Sequence, residues 1–399
     1  MEKNMKKIFA MLSVLLMASM LLGACAPAAT PAPEPTKAPE PTKAPDPTAV
    51  PTTAVPAWEA PKGALVAYPA EAAPKLDGMG DDAAWATAQE TTINVAGGFG
   101  NFGTDVKIKA IYTADEVYFL VTYADPTQSF FRSPWQKQAD GSWKKIIDPA
   151  DKGGDNNTVY EDKYAMIWPI GTVKNFETAG CFVACHAGEN SDIKPYGNKY
   201  LAEGEKADIW HWKSIRNLNQ IDDQFLDSVK LDTSTPEMQT KTIEAGRHSD
   251  PKEKGGYADN FASKPDPADA SKTVADKTMP GFTSPNIDMT TGAPGFILDS
   301  EKVALDMAAM DAIPAGSYIP GIVKSEIVGD RGDIKAGWNW KDGMWTLEFG
   351  RKLVTKSETD VEFSDLKAIY YFAVAVFENA QVRHAFETGA TPFVFMPKP

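Results

Sequence analysis

The chain has 399 residues, with 54 Asp and Glu against 40 Lys and Arg, and a formal net charge of −14 at pH 7. Residues 1 to 60 carry five lysines and five acids, so the whole negative excess belongs to the remainder. A surface that acidic disfavours nucleic acid and anionic lipid as partners. The sequence contains no G-x-S-x-G, H-E-x-x-H or P-loop, and so lends no support to the hydrolase or NTPase classes.

In chain order, "MEKNMKK" places lysines before the apolar run "IFAMLSVLLMASMLL", and small residues come after it. That pattern predicts a signal peptide over residues 1–24; the run is short for a membrane-spanning helix. Leu22-Gly23-Ala24-Cys25 resembles the bacterial lipobox, which implies lipidation of Cys25 and an anchor on the extracytoplasmic side of the membrane. Residues 25–62 are proline-rich and repeat themselves in "PTKAPEPTKAPDPT". Proline removes backbone donors and favours an extended, solvated path, so this stretch predicts a tether without a core. At about 3 Å per residue, roughly 30 residues of it reach up to about 90 Å.

Residues 63–399 have a globular composition, with strand signals dominant. "DVKIKAIYTADEVYFLVTYAD" is two alternating runs joined at Thr113–Glu116, a hairpin pattern. "GWNWKDGMWTLEFGRKL" repeats it around Asp342-Gly343, a pair suited to a tight turn. "YEDKYAMIWPI" is a further strand, and "LKAIYYFAVAVFEN" reads as a central strand buried on both faces. Short helices are expected at "PEMQTKTIEAG" and "SEKVALDMAAMDA". The polar stretch 171–296 reads as a long insertion laid over the sheets. These elements predict an all-β fold, two sheets packed face to face as a β-sandwich with long loop insertions and a few short helices. The opening "PKLDGMGDDAAWATA", with Trp85, resembles the start of carbohydrate-binding-module-9-like and DOMON-like sandwiches of immunoglobulin-like build.

Chemistry concentrates around four histidines and two neighbouring cysteines. Cys181 and Cys185 with His186, in "GCFVACH", are one residue longer than the C-x-x-C-H pattern that attaches haem covalently. Thioether attachment with His186 on the iron is one reading; a Cys181–Cys185 disulfide is the other, since residues four apart on a helical turn come within disulfide reach. A zinc site would need a further ligand. In "ADIWHWKSIR", an extended backbone puts Trp210 and Trp212 on one face and His211 with Lys213 on the other; the indoles could wall a flat cofactor or belong to the core. His384, just past the long central strand, could face a sandwich mouth. His248 sits in a charged stretch and reads as solvent-facing. Met166 could offer a thioether but is the kind of residue that fills cores. Arg331-Gly332-Asp333 is read as a chance match.

In order along the chain, "LDGMGDDAAW", "VKIKAIYTADEVYFLVTYADPT", "YEDKYAMIWPI", "GCFVACH", "ADIWHWKSIR", "AGRHSDPKEKGGYADN" and "FAVAVFENAQVRHAF" resemble the ethylbenzene-dehydrogenase-related haem-binding family. The resemblance implies a sandwich holding one haem near a sandwich end and passing single electrons to or from a redox partner. Characterised members hold a b-type haem between a methionine and a lysine. Here Arg383-His384 stands where that lysine is expected, and Met166 is the counterpart of the methionine. The resemblance thus implies a lipid-anchored cytochrome with haem as cofactor, c-type through Cys181 and Cys185, or b-type. Its axial ligands are expected to be His186 and His384, with His211 and Met166 as alternatives, and Trp210 and Trp212 are expected to line the pocket. Its partner is expected on the same membrane surface, and the protein is expected to carry electrons without acting as an enzyme. Two alternatives stand: a carbohydrate- or small-molecule-binding lipoprotein with a Cys181–Cys185 disulfide, and a haem subunit of a molybdenum oxidoreductase.

Overall fold

The computed structural model describes residues 58–147, 159–185, 188–190, 194–242 and 245–398. Within them, thirteen strands hydrogen-bond into one curled sheet. These are β1 (Leu65–Pro69), β2 (Thr91–Val95), β3 (Thr104–Tyr112), β4 (Glu116–Ala124), β5 (Lys163–Ile170), β6 (Lys206–Lys213), β7 (Asp222–Leu226), β8 (Arg247–Ser249), β9 (Lys335–Lys341), β10 (Met344–Lys352), β11 (Tyr370–Phe377), β12 (Ala385–Phe386) and β13 (Thr391–Phe395). Across the sheet the order is β8-β7-β6-β5-β11-β13-β1-β3-β4-β10-β9, with β2 on β3 and β12 on β11. Strand β1 runs parallel to both its neighbours. The signal, residues 25–57 of the tether with Cys25, and His186 lie outside the described residues. Among the described residues, no helix is long and apolar enough to cross a membrane.

The curl has its origin in β11. Its first residues, Tyr370–Phe372, pair with β13, while Ala373–Phe377 pair with β5. One strand therefore belongs to both halves of the sheet, and the halves close over each other. Trp168 of β5 and Trp210 of β6 meet Phe119 of β4 at ring distances of 6.0 and 5.6 Å, and Phe349 of β10 stacks on Phe119 at 5.4 Å. This aromatic layer fills the all-β sandwich that the strand patterns predict.

Both predicted hairpins form. Asp342 (φ 53°) and Gly343 (φ 79°) take the positive angles a two-residue turn requires. The Leu-Asp-Gly opening is pinned by one buried carboxylate: Glu348 accepts from Gly78 N at 2.8 Å and from Trp85 Nε1 at 2.8 Å. The two predicted helices are short and capped. Thr235 caps α3 (Pro236–Lys241) and Asp306 caps α4 (Met307–Ala312), each accepting from a backbone N–H in the first turn; α1 (Phe176–Ala179) and α2 (Cys181–Cys185) precede them.

The stretch 171–296 is only partly an insertion, because β6, β7 and β8 are integral strands of the main sheet. Their polarity hid this. Asp208, Lys213, Asp222, Asp223 and Gln224 are all buried, and ion pairs such as Lys213–Asp222 compensate the burial that apolar side chains would otherwise supply. Farther along, Lys254–Asp259 and Ile297–Leu298 flank Ile322–Val328 in a separate small sheet. The Arg331-Gly332-Asp333 motif has a structural role: Arg331 Nη2 donates to Asp222 Oδ2 at 2.9 Å, and Gly332 is buried.

Candidate functional site

Strand alternation gives the β6–β5–β11 half of the sheet two unlike faces. Inward go Tyr164, Met166 and Trp168, Trp210 and Trp212, and Phe372, Val374 and Val376. The intervening residues turn outward, and the register sets His211 beside Ala165 and Ala165 beside Ala375. Alanines thus leave a low floor next to an imidazole. Helices α1 and α2 cover the adjoining part of this face, where Phe176, Cys181 and Ala184 pack with Ile167, Ile209 and Ala373. Gly180 joins the two helices at φ 55°, so close to Gly389 that a Cβ would stand 1.6 Å from its carbonyl oxygen. Between cover and floor runs a narrow cleft of about 40 Å³, bordered by Cys181, Lys199, His211, Gln224, Arg247 and His384.

The imidazole of His211 is oriented. Its Nδ1 lies 3.3 Å from Gln224 Oε1, and Gln224 Nε2 faces Asp222 Oδ2 at 3.5 Å, which sets the amide. An amide oxygen only accepts, so Nδ1 carries the proton and Nε2 the lone pair. Nε2 is buried and meets no hydrogen-bond partner among the described residues. Burial, reinforced by the charges of Lys213, Lys163, Arg216 and Arg247, holds the pKa of His211 well below its ordinary value. The ring is therefore neutral at pH 7, a nitrogen donor aimed into an apolar space.

Cations crowd one end of this face. Lys163 Nζ donates to the Gln381 carbonyl at 2.7 Å and stands 4.0 Å from the centre of the Phe377 ring. Burial, then Arg216, lowers its pKa well below the usual lysine value. Burial raises the pKa of Asp222, but Lys213 and Arg331 outweigh it and draw the group down to about 2. The Phe377 ring contacts both histidines, 5.6 Å from His211 and 4.7 Å from His384.

The cleft therefore brings together Cys181, His211 and His384 from distant parts of the sequence. Cys185 closes α2, and His186, the next residue, lies outside the described residues. Two expected pocket residues fall elsewhere. Trp210 and Trp212 share a face opposite His211, as the extended pattern predicts, but that face is the sandwich interior: Trp210 packs on Trp168 at 5.1 Å and Trp212 on Trp345 at 4.8 Å. They do not wall the cleft. Met166 borders it, yet pairs with Trp210 across the ladder and sends its side chain into the same inner core. Six of the ten tryptophans are almost fully buried, which removes them from sugar stacking. His248 is tied to Asp227 at 3.0 Å on β8 and does not stand in an open loop. Sequence reasoning missed Lys163, Gln224, Arg247 and the alanine floor. The period-two alanines of β11, Ala373 and Ala375 in an otherwise bulky strand, were the available signal.

The outer face of this β-sandwich thus carries an oriented neutral imidazole in a covered cleft. The chain belongs to the ethylbenzene dehydrogenase family, whose model matches residues 82–388, and is oxidoreductase-related on that ground. No curated protein sequence matches it. Among solved structures, it is similar to a carbohydrate binding module family 9 domain from Caldicellulosiruptor kristjanssonii in complex with cellotriose. That pair shares 10% identity over 84% of this chain and 94% of that one, with a TM-score of 0.29. The glucose complex gives 9% identity over 83% and 96%, with a TM-score of 0.28.

Proposed function

We propose that this protein is a haem-binding electron carrier, anchored outside the cytoplasm by lipid on Cys25, and that the outer-face cleft is its haem site. The observation that carries the reading is the buried Nε2 of His211, without a hydrogen-bond partner among the described residues, in a family of oxidoreductase-related proteins. A buried polar atom without a partner costs about 1–3 kcal/mol, and binding iron would offset that cost. The rest of the donor set fits. Cys181 borders the same cleft, and Cys185 and His186 follow it four and five residues on, so both thioether sulfurs and a second axial imidazole would come from one segment. His384, beside Phe377, is the competing second ligand.

Each neighbouring residue then has a task. Gln224 fixes the His211 tautomer and ring plane, the usual service of an outer partner to a ligating histidine. Ala165, Ala373 and Ala375 leave room for a flat group, and Lys199 and Arg247 carry the charge that pairs with haem carboxylates. The cleft is smaller than a haem, so binding requires the α2 cover to stand away from the alanine floor. Haem supplies reversible one-electron chemistry at iron. Lys213 and Arg331 share the one carboxylate of Asp222, and the net positive charge they leave would favour the reduced, more negative state. Electrons pass to or from a redox partner at the same membrane surface.

The test is the absorption spectrum of the protein matured alongside a cytochrome c assembly system. A Soret band is expected, and it should stay with the protein through acid-acetone extraction. A folded, colourless product overturns the haem reading; haem that leaves with the solvent overturns only the link through Cys181 and Cys185.

A further inference from the structure

On the inner side of β6 and β7, away from the cleft, six aspartates gather around one arginine. Asp208 and Asp223 come from β6 and β7, Asp250 comes just after β8, Asp330 and Asp333 flank the turn before β9, and Asp360 lies between β10 and β11. Arg351 is completely buried, 3.1 Å from Asp208, 3.0 Å from Asp360 and 3.9 Å from Asp223. Among the described residues it is the one cation in ion-pair contact with the group. Its guanidinium serves the Asp208–Asp223–Asp360 side. On the other side, carboxylate oxygens of Asp250, Asp330 and Asp360 lie within 4.8 Å of one another, and Arg351 pairs with Asp360 alone of these three.

Two further observations separate this triad from an ordinary acidic patch. Asp250 is 2% exposed, and among the described residues neither of its oxygens meets a donor in hydrogen-bond geometry. Asp223, outside the triad and wholly buried, also leaves Oδ2 without a donor among the described residues, and one of its carboxylate oxygens lies within 4.8 Å of an oxygen of Asp360. A buried carboxylate that lacks both donor and counter-charge, as Asp250 does, is strongly disfavoured. Oxygens no more than 4.8 Å apart can reach one ion bound at about 2.4 Å, and Ca²⁺ takes six to eight oxygen ligands, the rest of which water can supply. Asp330 is half-buried and steadied by Ser357 Oγ at 2.8 Å, which leaves the triad a side open to water.

We infer that Asp250, Asp330 and Asp360 form a binding site for one divalent cation of the calcium type, which ties the end of β8 to the turn before β9 and the loop before β11. The site is independent of haem. The experiment is calorimetric titration of chelator-treated full-length protein with CaCl₂, repeated on Asp250→Asn, Asp360→Asn and the exposed control Asp365→Asn, with melting followed in parallel. Expected are one Ca²⁺ per chain, a rise in Tm on the order of 5 °C at saturation, and at least tenfold weaker binding in the two site variants alone. Because asparagine keeps the shape, both variants should fold, and Asp250→Asn, which removes a carboxylate with no cation partner among the described residues, should melt higher than wild type in chelator. The proposal is overturned if wild type neither binds Ca²⁺ nor melts higher with it, or if Asp250→Asn binds as wild type does.

Discussion

Replacing Arg351 by methionine removes the cation from the most heavily charged part of the interior. The guanidinium is fully buried and pairs with Asp208 and Asp360 at 3.1 and 3.0 Å, with Asp223 at 3.9 Å, and it also donates to the Val361 carbonyl. Breaking a buried pair from one side costs about 3–5 kcal/mol, because the remaining charge is left uncompensated. The orphaned Val361 carbonyl adds about 1 kcal/mol, while the methionine side chain recovers part of the packing. Arg351→Met should therefore lose about 4 kcal/mol in urea unfolding at pH 8. Burial holds the Asp208 carboxyl up at about 6, so at pH 5 it is protonated and the loss should be clearly smaller. A loss below about 1 kcal/mol at pH 8, or an equal loss at both pH values, would show that the guanidinium does not compensate these carboxylates.

Three other outcomes are expected from the same structure. Burial raises Asp250 to about 9 and Asp333 to about 7, so the unfolded chain releases these protons first as pH rises, and stability falls between about pH 4 and 9. Chelator-treated protein should accordingly melt higher at pH 5 than at pH 8, and the reverse order in a melting series contradicts this. Gly180→Ala drives a Cβ into the Gly389 carbonyl and should dislodge the α1–α2 cover, read as faster proteolysis within residues 176–185; unchanged digestion counts against the close approach. Gln224→Leu removes the partner that orients His211, and haem affinity should fall about tenfold to a hundredfold while the melting curve of the haem-free protein barely moves.

The fold was legible where apolar alternation is strong. β3, β4, β9, β10 and β11 are all announced by it, because each lays one or both faces on the aromatic interior. β6, β7 and β8 were not. Their buried positions include Asp208, Asp222 and Asp223, whose partners Lys213, Arg331 and Arg351 are adjacent only in three dimensions. The site divided in the same way. Alternation put His211 on the opposite face from Trp210 and Trp212, but could not say which face was the interior. That question is decided by Phe119 and Phe349, from strands far away in the chain. Nor could local spacing reveal that Cys181 and His384 meet His211 at one cleft, since the crossing of β11 between the two halves brings them together.

The central claim is that His211 Nε2 binds iron. Its most direct test is to compare the electronic spectrum and spin state of wild type and His211→Ala, both matured with haem. A low-spin, six-coordinate signature is expected in wild type and a high-spin, five-coordinate one in the variant, with the fold intact by circular dichroism. A variant whose spectrum matches wild type would show that the iron takes its ligands elsewhere.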